Sequence, residues 1–118
     1  MVTVSPVKTS GKQLSTPDYG KEIYQWTPMA DGDTLLPLIT NGPGVLAGSI
    51  QFSGTFGGTC KLQGSNDGTN WVDLKDTGGN AISTAAAAAF ELSTGMSMVR
   101  PTAGTGVASV TATLCMRG

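Results

Sequence analysis

The chain contains no histidine, and its 118 residues include only two cysteines and 13% charged side chains. The first absence removes the commonest general base, most zinc-ligand sets and the Ser-His-Asp triad together. Cys60 and Cys115 are too few for a disulfide scaffold and lack the CxxC spacing of a zinc or redox motif. A formal net charge of -1 provides no basic field for nucleic acid and no polyelectrolyte tail. No apolar run is long enough to cross a bilayer. The N-terminal stretch also lacks the basic start, apolar run and cleavage site of a secretory signal, so the sequence predicts a soluble protein that is not exported by that route.

What is present is glycine, serine, threonine and short apolar alternations, with a mean hydropathy near zero. That texture favours many short strands and tight turns over long helices. The chain is long enough for one core, with folding hiding about 65% of its extended surface. The prediction is an all-β fold, an antiparallel β-sandwich or jelly-roll-like barrel over residues 21–118, preceded by an extended N-terminal arm over residues 1–20. The arm "MVTVSPVKTSGKQLSTPDYG" has two prolines and no sustained period, so it is expected to carry at most one short strand and not to bury itself.

Roughly eight strands are expected. "EIYQWTP" and "DTLLPLI" read as strands whose Pro28 and Pro37 demand an edge or a bulge. In "VLAGSIQFSGTF" Ile50 and Phe52 share a face, and Gly57 with Gly58 suggests positive φ for a hairpin into "TCKLQGS". Alternation turns Cys60 and Leu62 inward but separates Cys115 from Val110, Ala112 and Leu114, which predicts two free thiols. Ala85 to Ala89 is ambiguous, with strand favoured over one or two helical turns.

Several stretches suggest chemistry. Asp31 and Asp33 in "ADGDT" are more simply turn formers than an acid-base pair. "SGK" at Ser10 to Lys12 lacks the first glycine of a phosphate loop. In "GSNDGTNWVDL" Asn66 and Asp67 can bond back to nearby amides before Gly68, which explains the cluster as a turn; a calcium loop needs more converging oxygens. Trp71 and Trp26 are expected to be core plugs, with Trp71 beneath its own hairpin and worth a few kcal/mol, roughly the cost of a large-to-small core change.

The order of motifs says more than any one of them. "YQWTPMADGDTLLPL", then "GSIQFSGTFGGTCKLQGSNDGTNWVDL", then "VRPTAGTGVASVTATL" resembles small β-sandwich structural proteins from the virion modules of tailed bacteriophages. The resemblance covers nearly everything from Glu22 to Leu114. The middle motif is shared with discoidin-like carbohydrate-binding domains, whereas "WTP...GDT" and "VRPTAGTG" favour the phage type. The resemblance implies a capsid decoration or cement subunit, a homo-oligomer (trimer or dimer), assembled in the bacterial host cytoplasm and carried on the virion surface. Its partner would be the major capsid protein, with no nucleic acid, membrane, cofactor, metal or catalytic role. The arm is the candidate bridging element, through Val2, Val4, Pro6, Val7, Leu14 and Pro17. A head-fibre base or tail-associated subunit, and a carbohydrate-binding module, are the alternative readings.

Overall fold

A computed structural model describes residues 2–8, 21–39 and 46–117. They form twelve strands: β1 Thr3–Val4, β2 Val7–Lys8, β3 Lys21–Met29, β4 Thr34–Leu35, β5 Leu38–Ile39, β6 Leu46–Thr55, β7 Cys60–Ser65, β8 Val72–Asp73, β9 Ser83–Thr84, β10 Ala88–Thr94, β11 Met98–Ala103 and β12 Ser109–Arg117. The fold is the expected all-β sandwich. One antiparallel sheet has the order β10-β6-β12-β3-β2, the other β5-β11-β7-β8 with β9 also on β7. A small parallel pair, β1 with β4, closes one end. The count exceeds eight because several pairings are only two residues long.

Along β6, β7 and β12 the buried face is the one alternation picks out. β12 turns Val110, Ala112 and Leu114 inward at the centre of its sheet, and β6 adds Ile50 and Phe52. β7 contributes Cys60 and Leu62 from the opposite sheet. Burial of β-branched and aromatic side chains between two pleated faces is what makes such strands stable. Both cysteines are free, with Cys60 in the core and Cys115 outside it.

The prolines are accommodated as strand chemistry requires. Across β3 and β12 the register moves from Ala112↔Trp26 to Val110↔Met29, so Thr27 and Pro28 together oppose Thr111. This is a β-bulge; the extra residue resets the alternation, so Trp26 and Met29 both point inward. The Thr27–Pro28 peptide is cis, and the Thr27 and Thr111 hydroxyls share a hydrogen bond of 2.6 Å. Pro101 sits within β11 opposite Leu62. The Leu62 amide and carbonyl are turned the other way, to Ile82 and Leu74, so Pro101 costs that ladder no hydrogen bond.

Three expectations are corrected. The connection after β6 is not a hairpin, because β6 and β7 belong to different sheets and the loop carries the chain across the sandwich. Gly57 does take a positive φ of 104°, but Gly58 serves by close approach, since a Cβ there would lie 2.2 Å from the Thr105 carbonyl oxygen. The start of the chain is not free: β1 pairs with β4, β2 pairs with β3, and Val4 is only 6% exposed. A valine that enters the core offsets part of the entropy of ordering its segment, the strand pairs supplying the rest of the contacts. In the alanine run, Ala85 to Ala87 form a bend and Ala88 and Ala89 open β10. The Thr84 hydroxyl donates to the Ala86 carbonyl at 2.6 Å and accepts the Ala86 amide at 3.1 Å.

Trp26 is completely buried, and its indole N–H donates to the Leu36 carbonyl at 2.7 Å. Trp26→Ala is expected to cost about 3–5 kcal/mol. Trp26→Phe, which leaves that carbonyl unpaired, should cost roughly 1–3 kcal/mol. Urea unfolding midpoints check both values; a Trp26→Phe variant as stable as wild type would mean that the hydrogen bond contributes nothing beyond the ring.

Candidate functional site

Two surface features bring chemistry-bearing side chains together. The first is built on the "ADGDT" turn. Asp33 accepts the Ala30 amide at 2.9 Å through one carboxylate oxygen and the Val2 amide at 3.0 Å through the other. Asp31 accepts the Gly106 amide at 3.1 Å. Asp33 is thus the expected turn former and also clamps the beginning of the chain, whereas the Asp31 carboxylate ties the turn to the distant Gly106. Backbone bonds from Thr34 to the Val2 carbonyl and from Leu36 to the Val4 carbonyl, each 2.9 Å, extend that clamp. Between this segment and the Thr27–Pro28 bulge lies an open groove of about 530 Å³, lined by Val2, Val4, Val7, Pro28 and Asp33 among others.

Of the residues the sequence nominated, Val2 and Val7 stand at this groove with 61% and 53% of their surface exposed. Val4 lines its floor but belongs to the core, so it is a structural residue first. Pro6 is half-buried, and Leu14 and Pro17 lie outside the described residues. Exposed valines on a backbone held by its own hydrogen bonds form a rigid apolar contact surface.

The second feature lies on the outer face of the β5-β11-β7-β8 sheet and escaped the sequence reading. Trp71 is half-buried and is not a core plug. The Arg100 guanidinium lies 4.0 Å from the centre of its ring. Arg100 also donates from Nε and Nη2 to the Gln63 side-chain oxygen at 3.4 and 3.3 Å. Gln63 in turn donates to Asp73 at 3.1 Å, and Lys61 pairs with the other Asp73 oxygen at 3.5 Å. Hydrogen bonding from Gln63, and then the Lys61 charge, hold the Asp73 carboxyl below its ordinary range. Partial burial draws the Arg100 pKa down, though a guanidinium stays charged at neutral pH. Alternation in "MVRPT" does turn Arg100 outward, but its meeting with Trp71 depends on strand order.

The "SNDG" loop is a turn, as expected. It joins β7 to β8, and Gly68 takes a φ of 79°. One Asp67 oxygen accepts the Thr69 and Asn70 amides at 2.8 Å each and the Ser65 hydroxyl at 3.0 Å; the other accepts the Asn70 side-chain amide at 2.8 Å. The carboxylate oxygens are therefore spent on the loop itself. Asn66 reaches across instead, accepting the Ser97 amide at 3.0 Å. Among the described residues no group of three or more His, Cys, Asp or Glu side chains is placed to hold a metal ion. Comparison with protein-family models, curated proteins and solved structures finds no match to this chain.

Because Trp71 rests on the surface, Trp71→Ala should cost only about 1 kcal/mol, the scale of an exposed cation–π contact; a loss as large as that of Trp26→Ala in the same urea experiment would refute this placement. The hydrogen bonds from Asn70, then Thr69 and Ser65, hold the Asp67 carboxyl far below its usual range. A depressed folded-state pKa contributes stability that is complete above the unfolded value of about 3.9 and is lost as pH falls below it. The stability gap between wild type and Asp67→Asn should therefore be constant above about pH 5 and narrow progressively below about pH 4. Thermal melts across that range provide the check, and a gap independent of pH would show that the turn does not use the ionised form.

Proposed function

We propose that this chain is a structural protein of a tailed-phage virion, a decoration or cement subunit that binds the outer capsid surface and bridges neighbouring major capsid protein subunits. The class rests on the order of motifs from Glu22 to Leu114. The observation that carries the attachment is the clamped N-terminal segment, which holds the exposed Val2 and Val7 at an open groove. A rigid apolar patch pays little ordering entropy on docking, so even a small contact can contribute net affinity. Repeated across a lattice as a homo-oligomer, many such contacts stabilise a shell by mass action and by effective concentration. A shortage of charge fits contacts made by apolar surface and shape.

A carbohydrate-binding module is the second reading, favoured by the half-buried Trp71 beside Gln63 and Asp73. An indole face free for a sugar would be needed, and Arg100 occupies one face of this ring. A glycan array separates the two readings, since binding there without binding to shells would replace the virion assignment.

The attachment test uses substitutions and not truncation, because removing residues 2–8 would also remove the buried Val4 and two strand pairs. The tagged protein is co-sedimented with shells stripped of it, and copies per particle are counted. Saturable binding at hundreds of copies is expected, whereas a dozen or fewer would indicate a vertex or tail subunit. Val2→Asp with Val7→Asp should abolish sedimentation with little change in melting temperature. Undiminished occupancy would exclude the groove as the contact.

A further inference from the structure

We infer that the capsid-contacting surface continues from the N-terminal groove onto the outer face of the β5-β11-β7-β8 sheet, where Arg100, stacked on Trp71, takes a carboxylate of the shell protein. The inference rests on the virion reading above and names the chemistry of its partner.

Continuity comes first. Asp33 lines the groove that holds Val2 and Val7, and it also lines a second hollow of about 300 Å³ whose other wall is Arg100 to Ala103. The two hollows therefore meet at Asp33, the first lined by residues of β1 and the second by residues of β4 and β11. Beside Arg100 the same face carries Met98, half-buried, with Ile39 opposite it in register and 58% exposed. Ile39, Met98, Arg100 and Trp71 thus make a patch of apolar and aromatic surface around a single cation. Arginine and tryptophan are the residue types that most often dominate the energy of a protein interface, and methionine is enriched there as well.

Charge then selects the partner. Lys61 and Asp73 neutralise each other on this face. Arg100 has no ion pair with any described residue, since its hydrogen bonds go to the neutral Gln63 amide and its face lies over the Trp71 ring. Arg100 donates to Gln63 from its Nε and Nη2, which leaves its Nη1 without a hydrogen bond to any described residue. The guanidinium is therefore held in one orientation with donor capacity unspent, a fork suited to a carboxylate. Because the stack and Gln63 fix it in advance, little rotamer entropy remains to be lost on docking.

The test compares wild type, Arg100→Ala, Arg100→Lys and Glu91→Gln for binding to stripped shells, after far-ultraviolet circular dichroism and melting curves confirm the fold of each. Glu91 lies exposed on β10 of the other sheet and serves as the remote control. Arg100→Ala is expected to weaken shell binding at least tenfold, with Glu91→Gln unchanged. Arg100→Lys should recover only part of the loss, because an ammonium keeps the charge without the planar fork. Added salt should weaken wild type more than Arg100→Ala. Shell binding by wild type that Arg100→Ala matches would overturn this inference and leave the virion reading standing. No wild-type binding to shells would overturn both. Arg100-dependent binding to an acidic oligosaccharide, with none to shells, would replace the protein partner with a glycan.

Discussion

The buried indole of Trp26 is the contact on which the arrangement of this molecule depends. It projects from β3 in one sheet, fills the space between the layers, and donates its N–H to the carbonyl of Leu36, between β4 and β5. A large aromatic ring supplies much of the burial energy available to a small core, and its one polar atom must find a partner in the interior. The acceptor it finds lies where the chain passes from the small β1–β4 pair into the second sheet. Trp26 thereby couples the two layers and fixes the position of β4.

That position in turn organises the surface. With β4 held, Thr34 and Leu36 present amides to the carbonyls of Val2 and Val4, and Asp33 reaches the Val2 amide. A segment that would otherwise fray becomes part of the domain. Val4 turns into the core, while Val2, which precedes β1, and Val7, in β2, remain exposed as contact residues. The bulge at Thr27 and Pro28 contributes the opposite wall of the groove while letting Trp26 and Met29 share the interior.

Much of this was legible along the chain. The alternation in β6, β7 and β12 set Ile50 with Phe52, Cys60 with Leu62, and Val110 with Ala112 and Leu114 on shared faces, and all seven are buried. Pro28 announced a sheet edge or a bulge because a residue without an amide proton cannot continue a ladder, and the structure has the bulge. The Asn-Asp-Gly turn was readable because its hydrogen bonds are made within a few residues of one another. Trp71 was misplaced because a tryptophan after a hairpin turn satisfies the same local rules whether it faces the core or the solvent. The glycines at 57 and 58 likewise signalled a change of direction, but not whether the returning strand would join the same sheet.

The sequence by itself determined the fold class, the residues that share a face in β6, β7 and β12, the free state of both cysteines and the Asn-Asp-Gly turn, since each depends on residues close together in the chain. Only the tertiary structure decided that β6 and β7 lie in opposite layers, that Val4 belongs to the core, and that Arg100 meets Trp71 across Gln63. Those facts join residues far apart in sequence, and they follow from which strands become neighbours when two sheets close over a shared set of buried side chains.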